Sequence, residues 1–125
     1  MINVLLVYTK DGLNHTFIKA LKGLSGTDIK TAASGEEALK SVKNNQTDLI
    51  ISAETLPDMS GLTLLETLVK VNPFVNSALV SRLSESDFHE ATEGLGILMS
   101  VPPDADEAFA ESLLNYLNKI IVTAP

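Results

Sequence analysis

The sequence predicts a doubly wound α/β domain, and three observations support this prediction. Five short apolar segments alternate with five segments whose apolar residues recur at helical spacing. The apolar segments are nearly continuous, which is typical of parallel strands that are buried on both faces. The 125 residues, 45% apolar and 20% charged, suit one domain with a core of its own. Because successive parallel strands need crossover connections, we expect helices on both faces of one sheet, in a single domain over residues 1–125.

The five strands are predicted from the short apolar runs. The clearest run covers residues 2–7, and the weakest covers residues 29–32. The other three runs cover residues 48–53, 77–81 and 97–101. Each run is bounded by turn-forming or helix-capping residues, so each predicts one short strand.

Amphipathic segments after each strand predict five helices. Their apolar stripes include Leu13 and Phe17, Ala38 and Val42, Leu62 and Leu65, Phe88 and Ala91, and Phe109 and Leu113. A Ser or Asp three residues before an acidic residue predicts the N-caps of three of these helices, at Ser34, Ser84 and Asp104. Asn72 with Pro73 predicts the end of the third helix, and Gly94 with Gly96 predicts the end of the fourth.

Composition and charge exclude several function classes. The chain has no cysteine and two isolated histidines. We therefore expect no disulfide, no thiolate metal site and no cofactor. The net charge is −7, and residues 84–119 hold eight acidic residues against Lys119. This excess disfavours a nucleic acid partner. The apolar run near the start is too short to span a membrane, so we expect a cytoplasmic protein without membrane contact.

Three sequence stretches resemble response regulator receiver domains of the CheY-like family. They are TAASGEEAL at residues 31–39, DLII at 48–51 and LPDMSGL at 56–62. The resemblance covers nearly the whole chain. It implies a flavodoxin-like (βα)5 sandwich with a five-stranded parallel sheet in the order 2-1-3-4-5, and a role in two-component phosphorelay signalling.

The family's chemistry is phosphoryl transfer from a histidine kinase to an aspartate, with a divalent metal held by that aspartate and an acidic pair. By this resemblance, Ala53 stands at the position of the aspartate, and Tyr8 and Thr9 stand at the positions of the acidic pair. The resemblance places Val101 at the family's lysine, and it keeps only Ser81 as the hydroxyl residue that meets the phosphoryl group. Since Ala53 has no oxygen to phosphorylate, we interpret the chain as a degenerate pseudo-receiver that is not an enzyme and binds no metal.

The resemblance also implies a backbone feature and an interaction face. A cis peptide is expected between Val101 and Pro102. Receivers commonly contact partners through helix four, strand five and helix five, where an acidic face would suit a basic surface of a signalling protein. The residues expected on this face are Glu85, Glu90, Glu93, Leu98, Glu107 and Glu111, with Leu98 at a switch position that is usually aromatic.

The leading hypothesis is therefore a phosphorylation-independent protein-interaction module, and two alternatives remain open. One is a receiver phosphorylated at a non-standard residue. The other is a small-ligand or nucleotide-binding flavodoxin-like domain, because amides and hydroxyls between Thr9 and Thr16 could hold a phosphate, although Asp11 opposes it. We interpret Ser81 as a structural hydroxyl and Glu54 as a loop carboxylate, while Arg82 could attract an anion weakly.

Overall fold

The computed structural model describes residues 1–10 and 12–123, with side chains as far as Ile120. In this part of the chain, strands and helices alternate strictly. The strands are β1 (Ile2–Val7), β2 (Thr27–Ala32), β3 (Leu49–Ser52), β4 (Asn76–Val80) and β5 (Met99–Val101). The helices are α1 (His15–Gly23), α2 (Gly35–Asn44), α3 (Gly61–Val71), α4 (Glu85–Thr92) and α5 (Glu107–Thr123).

All neighbouring strands pair in parallel, in the order β2-β1-β3-β4-β5. The predicted doubly wound fold and strand order are confirmed. Val4 and Leu6 of β1 pack with α1 and α5, while Leu5 and Val7 pack with α2, α3 and α4 on the other face. Both faces of β1 are therefore buried, which explains its nearly continuous apolar sequence.

Side-chain caps start the helices at defined residues. Ser34 Oγ accepts a hydrogen bond from Glu37 N at 3.1 Å, and Ser84 Oγ accepts one from Asp87 N at 3.2 Å. Both predicted caps are confirmed. At α1 the cap is Asn14, whose Oδ1 accepts from Thr16 N at 2.8 Å. Each cap satisfies an amide that the first turn of a helix leaves unpaired.

The predicted cap at Asp104 is wrong. Asp106 caps α5, because its Oδ1 accepts a hydrogen bond from Phe109 N at 3.1 Å. Asp104 lies in the preceding turn, where Ala105 N donates to Pro102 O at 3.0 Å. That turn occupies residues 102–105, so the helix can begin only after it.

The predicted cis peptide between Val101 and Pro102 is also wrong, since the described residues contain no cis peptide bond. Val101 O accepts a hydrogen bond from Ser81 N at 3.0 Å and so continues the pairing of β4 with β5. The chain reverses in the turn at residues 102–105. Pro103 occupies the second position of this turn, a position that favours proline. The trans form ordinarily preferred before proline is compatible with this path.

Two strand starts differ from the prediction by two residues, and those of β3 and β4 differ by one. β2 begins at Thr27, because Thr27 and Asp28 pair with Ile2 and Asn3 through backbone groups despite their polar side chains. β5 begins at Met99, so Leu98 lies just before the strand, although Leu98 N donates to Ser77 O at 2.8 Å. Among the described residues, no helix has the length and apolar character needed to cross a bilayer.

Candidate functional site

The carboxyl ends of β1, β3, β4 and β5 meet at one edge of the sheet, and the backbone joins the predicted site residues there. Ala53 N donates to Val7 O at 2.8 Å, directly before Tyr8. Ser81 N donates to Val101 O at 3.0 Å. Ligands of open α/β sheets bind beyond this edge, so it is the candidate functional site.

Two glycines lie close to Ala53. It is 1% exposed, and a Cβ atom added to Gly12 would lie 3.0 Å from its methyl carbon and 3.1 Å from Thr9 O. A Cβ atom at Gly61 would collide with the backbone oxygen of Ala53 and lie 2.8 Å from Leu79 Cδ1. The end of β3 thus presents a covered methyl group where a phospho-acceptor would need an exposed oxygen.

The neighbouring site positions contribute packing. Tyr8 is partly buried and contacts the core clusters on both faces of the sheet. Val101 is 1% exposed and packs in the cluster under α1 and α5. Within residues 1–10 and 12–120, no group of three or more His, Cys, Asp or Glu side chains is placed to hold a metal ion. Asp11 lies outside the described residues.

Ser81 is 6% exposed, and its Oγ accepts a hydrogen bond from Leu83 N at 3.1 Å. The hydroxyl therefore holds the backbone of the loop between β4 and α4, as its interpretation as a structural group predicted.

The proposed phosphate position at the start of α1 is already filled. Asn14 Oδ1 accepts from Thr16 N at 2.8 Å and from Phe17 N at 3.4 Å. Two amides that could hold a phosphate are thus engaged by a side chain of the protein itself. This contact weakens the nucleotide-binding alternative.

An open depression of about 400 Å³ adjoins the site. Its lining comes from the loops after β1, β3, β4 and β5, from the end of β4 and from the start of α1, and it includes Leu13, His15, Glu54, Val80, Arg82 and Pro103. Glu54 and Arg82 place opposite charges on the same depression. Both side chains are exposed.

Sequence reasoning missed the role of Asp58. Its carboxylate accepts hydrogen bonds from Gly35 N and Glu36 N, each at 2.9 Å, and so caps α2 from the loop after β3. These hydrogen bonds lower the pKa of Asp58 from its ordinary value, and the bond from Gly35 N has the larger effect. Asp58 and Gly35 are 23 positions apart, so only its place in a turn before α3 could have drawn attention to it.

Part of the predicted interaction face forms a groove between α4 and β5. Glu85 and Leu98 line it together with Phe88, Ile97 and Phe109, in a volume of about 340 Å³. Glu90 and Glu93 line an adjoining depression that shares His89, Thr92 and Ile97 with the groove. We call these two joined surfaces the α4–β5 groove.

Glu111 lies elsewhere. It lines a depression between α5 and the segment that joins α1 to β2, with Leu24, Thr27 and Asn118. Glu107 precedes it by one helical turn and therefore projects from the same side of α5. The six predicted residues thus do not form one face, because Phe109 and Glu111 project from different sides of α5.

Comparisons with known proteins agree with this architecture. Residues 4–102 match the response regulator receiver domain. Over 87 residues the chain is 34% identical to the Sensor kinase CckA of Brucella abortus (strain 2308), a match that covers 68% of this chain and 9% of that protein.

Two solved structures share the fold. A CheY-like response regulator receiver domain protein from Methanospirillum hungatei JF-1 superposes with a TM-score of 0.82 at 19% identity, over 99% of each chain. The chemotaxis response regulator CheY4 of Vibrio cholerae gives a TM-score of 0.80 at 19% identity, over 94% of this chain and 98% of that one. From the match over residues 4–102, the chain belongs to the response regulator receiver domain family.

Proposed function

We propose that this receiver is a degenerate one and acts in two-component signalling as a phosphorylation-independent protein-interaction module. The observation that carries the proposal is the covered methyl group of Ala53 at the end of β3. Acyl phosphate formation requires a carboxylate nucleophile, and neither Ala53 nor the glycines that pack on it can supply one.

The surroundings support the same proposal. Phosphoryl transfer also needs a metal ion and a cation that neutralise the phosphoryl oxygens. Tyr8, Thr9 and Val101 stand where the family resemblance places an acidic pair and a lysine. Two of these side chains contact the core, and Ser81 Oγ is engaged by Leu83 N. Among the described residues, the positions Tyr8, Thr9, Ala53 and Val101 do not carry the charges that this reaction uses, so we propose that the protein is not an enzyme.

The α4–β5 groove is the proposed docking surface. Its floor is apolar, with Phe88, Ile97 and Leu98, and its rim carries Glu85 and Glu90. α4 has eight residues and buries Phe88 and Thr92, so much of its surface remains available. An apolar floor with an acidic rim suits an amphipathic segment that carries Lys or Arg.

The proposed partner is therefore a signalling protein with a basic surface, which the domain meets in the cytoplasm. The acidic excess of residues 84–119 would repel a nucleic acid phosphate backbone. Attraction between Glu and Lys or Arg at an exposed rim is screened by salt, so affinity should fall as ionic strength rises.

A synthetic amphipathic peptide with Lys on one face and Leu on the other can probe the groove. We expect amide shifts at Ile97, Leu98 and Phe109 in NMR spectra, and weaker binding at higher salt. The shifts should be the same with and without acetyl phosphate and Mg²⁺.

Two variants control this experiment. The charge reversals Glu85→Lys and Glu90→Lys together should abolish peptide binding, while Glu66→Lys on the exposed surface of α3 should leave it unchanged. Equal loss in both variants would mean non-specific attraction to an acidic protein. Tighter binding after acetyl phosphate treatment would contradict phosphorylation independence.

A further inference from the structure

We propose that the depression between Glu54 and Arg82 binds a small zwitterion, an α-amino acid with an apolar side chain. This inference goes beyond the proposed docking function and does not depend on it. It rests on the position of the depression, on two unpaired opposite charges and on an apolar floor.

The depression has the position and size of a small-ligand site. It lies beyond the carboxyl ends of the strands, where open α/β sheets bind their ligands, and its volume is about 400 Å³. Gly12, Thr55, Arg82 and Pro103 contribute to its walls from four separate loops.

The charges point to a ligand that carries both signs. Within the described residues, neither the Arg82 guanidinium nor the Glu54 carboxylate forms an ion pair or a side-chain hydrogen bond. Arg82 can hold a carboxylate through two parallel hydrogen bonds, and Glu54 can accept hydrogen bonds from an ammonium group. A free amino acid supplies both groups on one carbon atom.

The same charges argue against a phosphate or a nucleotide. Glu54 would repel a phosphate that approaches Arg82. The amides of Thr16 and Phe17 at the start of α1 already bond to Asn14 Oδ1. A doubly charged anion would therefore meet an opposing carboxylate and an occupied helix N-terminus.

The floor of the depression is apolar. Leu13 and Val80 are buried in the core cluster under α1 and α5, and both line the depression. An aliphatic side chain would contact the small exposed part of these two side chains, which are 3% and 7% exposed, whereas glycine would not. We therefore expect leucine and valine to bind more tightly than glycine.

The test is a titration of the full chain with L-leucine, followed by NMR amide shifts at Gly12, Val80 and Arg82. The probes for comparison are 4-methylpentanoate, which lacks the ammonium group, and 3-methylbutylamine, which lacks the carboxylate. Leucine should give saturable shifts, and each analogue should bind at least about tenfold more weakly, because it loses one charge-assisted contact.

Two variants test the contribution of each charge to binding. Arg82→Ala should weaken leucine binding at least about tenfold without weakening binding of the amine, and Glu54→Gln should weaken leucine binding without weakening binding of the carboxylate. Both side chains are exposed, so both variants should fold, and Lys70→Ala on α3 is the control. The proposal is overturned by absence of saturable leucine shifts, by equal binding of 4-methylpentanoate, or by binding of inorganic phosphate in place of leucine.

Discussion

Gly12 lies against Ala53 so closely that a Cβ atom on Gly12 would be 3.0 Å from the Ala53 methyl carbon. The loop after β1 therefore covers the end of β3 at the point where the family resemblance places the phospho-acceptor. Gly12 N also donates to Thr9 O at 2.9 Å, which holds the loop in this position.

This contact predicts energetic coupling between the two residues. Gly12→Ala should lower the free energy of unfolding by about 1 kcal/mol, because the new methyl group overpacks the contact. In an Ala53→Gly background the loss should be smaller, because the opposing methyl group is gone. Urea unfolding of the four proteins measures the coupling.

The matched control for this cycle is Gly23→Ala. A Cβ atom at Gly23 would meet no atom within 4 Å, so this substitution should be neutral or slightly stabilising. If Gly12→Ala lowers the free energy of unfolding equally in the native and the Ala53→Gly backgrounds, the new methyl group is crowded by Thr9 O and not by Ala53.

The second prediction concerns magnesium. Since Tyr8, Thr9 and Ala53 provide no carboxylate at the site, millimolar Mg²⁺ should leave the melting temperature unchanged relative to a salt control of equal ionic strength. Thermal unfolding in both solutions measures this. A rise specific to Mg²⁺ would reveal a site in the native state and would count against the account.

The third prediction concerns Asp58 and acid. Because hydrogen bonds from Gly35 N and Glu36 N lower its folded-state pKa below 3.8, this carboxylate stabilises the fold at pH values above 3.8. The contribution should disappear as the pH falls through the lowered pKa. Asp58→Asn should therefore reduce the melting temperature at neutral pH, with a difference from the native protein that shrinks in strong acid.

Glu66→Gln is the control for Asp58. Glu66 is exposed on α3, so its substitution should change the melting temperature little at any pH. A difference for Asp58→Asn that stays constant from neutral pH into strong acid would show that the carboxylate charge is not the cause.

The fourth prediction separates two aspartates at the start of α5. Asp106→Ala should cost about 1 kcal/mol of stability, because Phe109 N loses its side-chain acceptor. Asp104→Ala should change stability by less than about 0.5 kcal/mol, because this exposed residue lies in the preceding turn. Equal costs would mean that both residues cap the helix.

The fold could be predicted from local patterns, while several details depend on distant contacts. β1, with apolar residues on both faces, was readable from its sequence. The start of β2 was not, because Thr27 and Asp28 join the sheet through backbone groups alone. The cap at Asp106 was missed because Asp104, and not Asp106, has an acidic residue three positions later. The turn at residues 102–105 places Asp104 before the helix.

At the candidate site, the residue types could be predicted from the sequence, whereas the contacts between distant residues could not. The residue types at Tyr8, Thr9, Ala53 and Val101 were evident from the sequence through a family resemblance. The packing of Gly12 on Ala53 and the capping of α2 by Asp58 link residues that are far apart in sequence. The separation of Glu111 from the α4–β5 groove depends on the rotation of α5 about its axis, which acidic composition does not reveal.

A restored variant provides the positive control for the central claim. Tyr8→Asp, Thr9→Asp, Ala53→Asp and Val101→Lys together return the carboxylates and the cation that acyl phosphate chemistry uses. If this variant folds, it should accept a phosphoryl group from a small donor. If the restored variant does not fold, an unrelated active receiver serves as the positive control.

The most direct measurement is the intact mass of the native protein after incubation with acetyl phosphate and Mg²⁺. The account predicts an unchanged mass, because Ala53 has no side-chain oxygen and no group of three or more His, Cys, Asp or Glu side chains among the described residues is placed to hold the metal ion that phosphoryl transfer needs. A stoichiometric increase of about 80 Da that hydroxylamine removes would be an acyl phosphate and would contradict the account.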